Sequence, residues 1–303
     1  MKYFISILGI ISIIFVTIIN FYPEEVRNFI DDTFNKKEYI IAKPNNYYLE
    51  SNFNYIKNYT DDVSNKEELL DYIYYVINTG SDYADGECTK EYTDCVKDLN
   101  DIANDEKNLS VINNFVHPYN SFKTISFTYN DRGEFSMIIE HIYTPEEISE
   151  LNYIIDNKLK ELITDNMSNV EKIKSIHDYI IDNTKYDTLK TENISDTTYK
   201  SNTAYGALIE GYAVCGGYAD AMSLFLDRFN IKNYKISTDT HVWNAIYIND
   251  NWLHLDLTWD DPVLENSSQD TLLHKFYLID TKKLEDYKIT DHEYDKTIYS
   301  ELS

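Results

Sequence analysis

Gly211-Tyr212-Ala213-Val214-Cys215-Gly216-Gly217-Tyr218-Ala219 is the stretch on which the reading of this chain turns. Beyond it, Ala219, Met222, Leu226 and Phe229 recur at i, i+3, i+7 and i+10. That period predicts an amphipathic helix that opens at the cysteine and ends near Asn230. A thiol at a helix start meets unpaired backbone N–H groups and the positive end of the dipole, and both favour the thiolate. A lone cysteine is ordinarily a small buried apolar residue. Cys215 instead stands ahead of the apolar stripe and beside two glycines, the marks of a nucleophile. Gly216 and Gly217 are expected to leave room for a substrate backbone, with Tyr212 beside them.

Downstream, His241-Val242-Trp243-Asn244-Ala245-Ile246-Tyr247-Ile248 and Trp252-Leu253-His254-Leu255-Asp256-Leu257-Thr258 read as two strands around a short Asn-Asp turn. With Asn249 and Asp250 at the turn's centre, His241 faces Thr258 and Trp243 faces Asp256. His241 and Asp256 then lie on one face as diagonal neighbours, about 7–8 Å apart and within side-chain reach. Val242, Ile246, Ile248, Leu253, Leu255 and Leu257 collect on the other face as an aliphatic core face. Thiol, imidazole and carboxylate are the parts of an activated nucleophile: a base for the thiol and an acid that holds the base in its useful tautomer. The candidate catalytic residues are therefore Cys215, His241 and Asp256, with Asp260 as the alternative orienting acid. Trp243 joins Tyr212, Gly216 and Gly217 as a candidate substrate contact.

Val214 to Ala219, His241 to Asn244, and Leu255-Asp256-Leu257-Thr258-Trp259-Asp260-Asp261-Pro262 resemble the three core motifs of the transglutaminase-like superfamily. Ile176-His177-Asp178-Tyr179-Ile180 with Lys185-Tyr186-Asp187 resembles the helix that precedes this core in bacterial members. The resemblance spans about residues 165–265. It implies an α+β, papain-like fold, with the cysteine-bearing helix packed on an antiparallel sheet. It also implies a thioester at the cysteine, resolved by an amine or by water, on amide bonds of protein or cell-wall peptide. A peptidase or amidase would use the same triad, and a silent binding module could keep the fold. Only the Cys215 backbone N–H is suggested as an oxyanion donor, and no calcium site or other cofactor is implied. His254 shares the Asp256 face and reads as a packed, hydrogen-bonded residue. His177 reads as structural, and His117 and His274 carry no partner signature. A metal centre would need more ligands than His241, His254 and Asp256, so none is expected.

Upstream of the core, Thr144-Pro145-Glu146-Glu147 and Ser168-Asn169-Val170-Glu171 have the form of helix starts. Ile148, Leu151, Ile155, Leu159 and Leu162 follow the first, and Ile173, Ile176 and Ile180 the second, at helical spacing. Thr184 to Asn202 is polar and without period, a functional or disordered loop. Residues 121–143 change to a hairpin pattern around Asn130-Asp131-Arg132-Gly133. Residues 23–120 read as polar and mainly helical, with a capping box at Ser64 to Glu67 and a stop at Gly80. The expected organisation is an anchor over 1–22, a mainly helical region with a hairpin over 23–143, and a catalytic domain over 144–303.

The anchor is read from Tyr3 to Tyr22, twenty residues without a charge, about the length that crosses a hydrocarbon core of ~30 Å. Lys2 precedes it and Glu24 and Glu25 follow, which places the bulk of the chain outside the cytoplasm. A cleaved signal peptide fits less well, because no small-x-small site ends the run. The formal net charge of −25 argues against nucleic acid and against anionic lipid surfaces. Cys88 and Cys95, in an acidic polar stretch, form either a local disulfide or two unpaired thiols.

Overall fold

A computed structural model of the chain describes residues 20–23, 26, 39–50, 52–59, 63–262 and 272–302. The chain divides into two compact units, Met1–Ile40 and Ile41–Ser303. In the first, Phe21 and Tyr22 are exposed. The expected anchor lies outside the described residues up to position 19. Among the described residues no helix is long and apolar enough to cross a membrane.

The second unit begins with α1 (Lys66–Thr79), whose Leu69, Ile73, Val76 and Ile77 are buried along one face. Its cap sits one residue later than the sequence suggests: Asn65 accepts from the Glu68 N–H, and Glu68 reaches back to Ser64 N. Gly80, at φ 71°, ends it in the left-handed conformation that glycine tolerates. A strand then appears where the sequence reads as helical, β1 (Tyr83–Glu87). Two further helices, α2 (Cys95–Asn104) and α3 (Glu106–Val111), lead to β2 (Phe122–Tyr129) and β3 (Glu134–His141). The expected hairpin thus forms, and β1 joins it in an antiparallel sheet of order β1-β3-β2. Five residues around Gly86 carry too little apolar periodicity to announce β1; pairing with β3 makes it a strand.

Helices α4 (Pro145–Leu162) and α5 (Asn169–Asn183) each open with a complete capping box, Thr144 with Glu147 and Ser168 with Glu171. Leu151 and Ile155 of α4, and Ile173, Ile176 and Ile180 of α5, are buried. The polar stretch that follows is ordered. β4 (Lys185–Tyr186) pairs in parallel with β5 (Tyr212–Ala213), and α6 (Thr188–Glu192) is capped by Asp187. The cysteine-bearing helix α7 (Cys215–Asp227) precedes an antiparallel sheet of β6 (Asn233–Ser237), β7 (Val242–Ile248) and β8 (Asn251–Leu255). Helices α8 (Leu257–Asp260) and α9 (Thr281–Asp286) follow.

Asn249 and Asp250 occupy the β7–β8 turn at φ 50° and 61°, and Ile248 pairs Asn251. Two successive left-handed residues match the twist of the flanking strands, which sets the hairpin register. The register is the expected one, but β8 stops at Leu255. Asp256 caps α8 instead of lying within a strand. Asn244 Nδ2 donates to Ala219 O at 3.0 Å and to Ser223 Oγ at 3.0 Å, fastening β7 to α7.

Both faces of this sheet are covered. Ile246, Ile248 and Leu255 pack with α4, α5 and α7 in one apolar cluster. Trp243 and Ala245 pack in another, with Phe53, Phe115, Tyr234, Phe276 and Tyr299. The expected aliphatic core face is thus one of two covered faces, and β7 is buried at four successive positions, Trp243 to Ile246. The second cluster draws residues from both sides of position 143/144.

Candidate active site

Cys215 is the first residue of α7 and Val214, in extended conformation, its N-cap. The thiol is free and partly exposed. The backbone before it is held from two directions. Asp187 N–H donates to Ala213 O at 2.8 Å, and Val214 N–H donates to Ser201 O at 2.9 Å. Buried Asp187 in turn accepts from Ser201 Oγ. Behind the helix start, Asp220 binds Lys235 Nζ at 2.5 Å and Tyr143 Oη at 2.6 Å, and Tyr143 accepts from Ala204 N–H at 2.8 Å. These bonds clamp α7, β6 and the loop around Ser201 together.

At Gly216 and Gly217 the space a side chain would need is taken by that loop. A side chain at Gly217 would lie 2.4 Å from Ser201 O and 2.9 Å from Thr203 O, and one at Gly216 3.2 Å from Asn202 O. The chain's own loop occupies the space that the sequence reading assigned to a substrate backbone. Tyr212, half-buried, stacks on Tyr199 with centroids 4.1 Å apart. Trp243 is not a substrate contact either. It is buried, donates from Nε1 to His254 Nδ1 at 3.0 Å, and stacks on the His241 ring at 15°. Its role is to wall and orient the imidazole.

His241 stands just before β7 in a turn closed by Thr238, whose Oγ1 accepts from His241 N–H at 3.0 Å. Its Nε2 lies 2.6 Å from Asp256 Oδ2. The Cys215 side chain is near enough to act on the imidazole. With Nε2 engaged by the carboxylate, Nδ1 is the nitrogen left for sulfur. Burial opposes a charge on His241, but the Asp256 carboxylate and its hydrogen bond, followed by Cys215, raise the imidazole to about 10. Burial likewise opposes the Asp256 anion. The His241 charge and hydrogen bond, then the hydrogen bond from His292, hold it below the ordinary carboxylate range. Asp256 Oδ1 also accepts from Trp259 N–H at 3.2 Å, a helix N-terminus facing a carboxylate. Tyr186 is close enough for its phenol to be pushed up by burial and then by Cys215 and Asp256.

Asp260, the alternative acid, points elsewhere. It accepts from the N–H groups of Lys275 and Phe276 at 2.8 and 3.0 Å and lies 3.4 Å from His177 Nε2. His254 is structural, between Trp243 and Thr281 Oγ1. His177 is buried as expected. His274 has a partner after all, Asp178 Oδ1 at 2.6 Å, which also lies 2.9 Å from His177 Nδ1. His117, stacked on Tyr47, accepts from Tyr119 N–H at 3.1 Å.

The residue that sequence reasoning missed is His292. It is buried, and its Nε2 lies 2.8 Å from the same Asp256 Oδ2 that meets His241. It sits 36 positions downstream in a polar segment without period, so nothing local marks it. Two triplets among the described residues, His241-Asp256-His292 and His177-Asp178-His274, bring one possible metal-ligand atom from each residue within 4.8 Å. In both, the carboxylate oxygen is already at hydrogen-bond distance from both imidazoles.

Residues 157–257 match the family model of the transglutaminase-like superfamily, and the segment contains Cys215, His241 and Asp256. The core of this chain is transglutaminase-like. That superfamily's members are typically cysteine enzymes. No curated protein matches the chain in sequence. Among solved structures, a TGase is 13% identical with a TM-score of 0.34, over 57% of this chain and 52% of that one. A proposed cysteine protease from Cytophaga hutchinsonii is 15% identical with a TM-score of 0.27, over 45% of this chain and 61% of its own. The chain thus spans between half and two thirds of each of these proteins. The transglutaminase-like segment ends at the carboxylate of the site, and His292 lies beyond it.

Proposed function

We propose that the transglutaminase-like core is a cysteine acyl-transfer enzyme acting on amide bonds of protein or cell-wall peptide. The observation that carries this reading is the grouping of Cys215, at a helix start, with the His241 imidazole on which it acts, and of His241 with the buried Asp256. The Asp256 carboxylate favours a proton on the His241 imidazole. Thiolate sulfur attacks the amide carbonyl carbon, forming the C–S bond. The imidazolium gives its proton to the departing nitrogen as the C–N bond breaks, leaving a thioester and a neutral imidazole. An incoming amine or water then loses a proton to His241 and attacks the thioester, and sulfur leaves as thiolate. The Cys215 backbone N–H, at the start of α7, is the proposed oxyanion donor. We place the domain outside the cytoplasm, a reading supported by the apolar run before Tyr22 and by the Cys88–Cys95 disulfide.

The test is trapping. Glutamine-containing peptides and cell-wall peptides are offered with hydroxylamine as the acceptor, and intact-mass spectrometry follows the protein. The expected result is hydroxamate formation, with an acyl adduct on Cys215 that Cys215→Ala lacks. Asp256→Asn should keep the fold and slow turnover by about 10- to 10⁴-fold, because it disturbs the tautomer and not the nucleophile. Equal turnover in Cys215→Ala and the parent would refute the proposal.

A further inference from the structure

Asp256 Oδ2 meets two imidazoles, and the acyl-transfer mechanism uses only one. The second, His292, is held in a short turn of helix, Thr290–His292. That turn is tied to the loop preceding His241: Thr238 Oγ1 donates to Asp291 O at 3.2 Å and Thr240 Oγ1 to Asp291 Oδ1 at 3.1 Å. The ring lies against Phe276 at 25° and meets the Trp243 and Trp259 rings at 5.0 and 5.3 Å. Its Nδ1 is buried with no hydrogen-bond partner among the described residues. This surrounding decides the tautomer. A proton on Nδ1 would lack an acceptor, and a lone pair on Nε2 would face a carboxylate lone pair. With the proton on Nε2, the donor faces Asp256 and Nδ1 carries only a lone pair. A second N–H on the ring would be buried unpaired, at a cost of about 1–3 kcal/mol.

We propose that His292 is a positioning residue of the catalytic site, a fixed N–H donor that holds the Asp256 carboxylate in the plane and charge state that orient His241. The inference rests on the Cys215-His241-Asp256 reading. One carboxylate oxygen accepts from Nε2 of His241 at 2.6 Å and Nε2 of His292 at 2.8 Å, and Oδ1 is occupied by Trp259 N–H. Rotation of the carboxylate would break all three bonds together. The donor also favours the anion, so its loss should let Asp256 take up a proton at higher pH. The groups facing Asp256 are His241 just before β7, His292, the Trp259 N–H of α8, and, through charge, Tyr186 and His254. Of these, only His241 and His292 donate to it from side chains among the described residues.

The experiment measures iodoacetamide alkylation of Cys215 against pH in the full 303-residue chain, so no substrate is needed. The parent is compared with His292→Phe, His292→Gln, His241→Gln and Asp256→Asn, all checked for folding by near-ultraviolet circular dichroism. His292→Phe should slow alkylation by about tenfold or more at pH 6, the lower end of what loss of an orienting partner costs at comparable sites. It should also move the acid limb of the profile to higher pH. His292→Gln, which keeps an N–H donor, should recover most of both. If folded His292→Phe keeps the parent's rate and acid limb while His241→Gln and Asp256→Asn lose them, the inference is overturned and the triad stands. If His241→Gln leaves alkylation unchanged, the triad reading fails and the inference falls with it. Should His292→Phe not fold, His292→Gln together with ¹⁵N spectra of the parent's imidazoles decides the matter. A protonated His292 Nδ1 would contradict the assigned role.

Discussion

At the scale of single residues, three histidines around one sheet have three different lives, and charge and burial explain each. His241 meets the Asp256 carboxylate and lies within the influence of the Cys215 thiol, and is the proposed base. His292 meets the same carboxylate and no second hydrogen-bond partner among the described residues, and is the proposed fixed donor. His254 gains a donor on one nitrogen and a hydroxyl on the other, Trp243 Nε1 and Thr281 Oγ1. Burial first, and then the neighbouring His292, lowers His254 to about 3. The sign of the consequence follows from linkage. Below pH ~6.5 the unfolded chain binds a proton at this residue that the folded chain refuses, so folding stability falls as the pH is lowered toward about 3. One proton corresponds to about 1.4 kcal/mol per pH unit, or about 2 kcal/mol between pH 6.5 and 5. Urea unfolding of the parent and of His254→Gln across that range should show a shallower slope in the variant. Parallel slopes would count against a neutral, buried His254.

At the scale of elements, the start of α7 is the part of the site most exposed to small changes. Three features converge there: a helix N-terminus, a neighbouring two-stranded parallel ladder, and the loop from Lys200 to Thr203. The glycines were legible in the sequence as a close approach of backbone, but the approaching backbone is the protein's own. Gly217→Ala must push Ser201 and Thr203 carbonyls aside from contacts of 2.4 and 2.9 Å. Overpacking of this kind costs about 1–3 kcal/mol. Because the displaced loop also carries the bond to Val214 N–H, the variant should lose both stability and thiol reactivity. Gly216→Ala, with its nearest contact at 3.2 Å, should be milder on both counts. Thermal unfolding and alkylation rates measured on the two variants provide the check. A Gly217→Ala protein as stable and reactive as the parent would show that the loop yields freely.

At the scale of the whole molecule, the described structure from Ile41 onward is one compact unit because an aromatic cluster crosses the line at 143/144. Phe53 and Phe115 meet Tyr234 with centroids 5.4 and 5.3 Å apart, and Phe115 stacks on Tyr299 at 5.7 Å. Asn114 Nδ2 donates to Tyr299 Oη at 2.7 Å, and Ser237 N–H does so at 3.1 Å. A fragment of residues 144–303 would bare this face of the β6–β7–β8 sheet, and an aromatic side chain left uncovered forfeits about 1.5–3 kcal/mol. The fragment is therefore expected not to fold alone, as read by near-ultraviolet circular dichroism and by the cooperativity of urea unfolding. A cooperative transition in the fragment would overturn this.

The division between what was and was not legible has one physical cause, the range of the interactions involved. The sequence by itself determined the helix starts at Thr144 and Ser168, the stop at Gly80, the Asn249-Asp250 turn, and through that turn the face shared by His241 and Asp256. Each depends on caps, backbone preferences or periodicity within a few residues. Tertiary structure alone decided that Gly86 lies in a strand, that Trp243 is sealed inside, that Asp260 serves the backbone at Lys275 and Phe276, and that His292 returns to Asp256. Those outcomes depend on packing partners tens of residues away, which leave no local pattern in the chain.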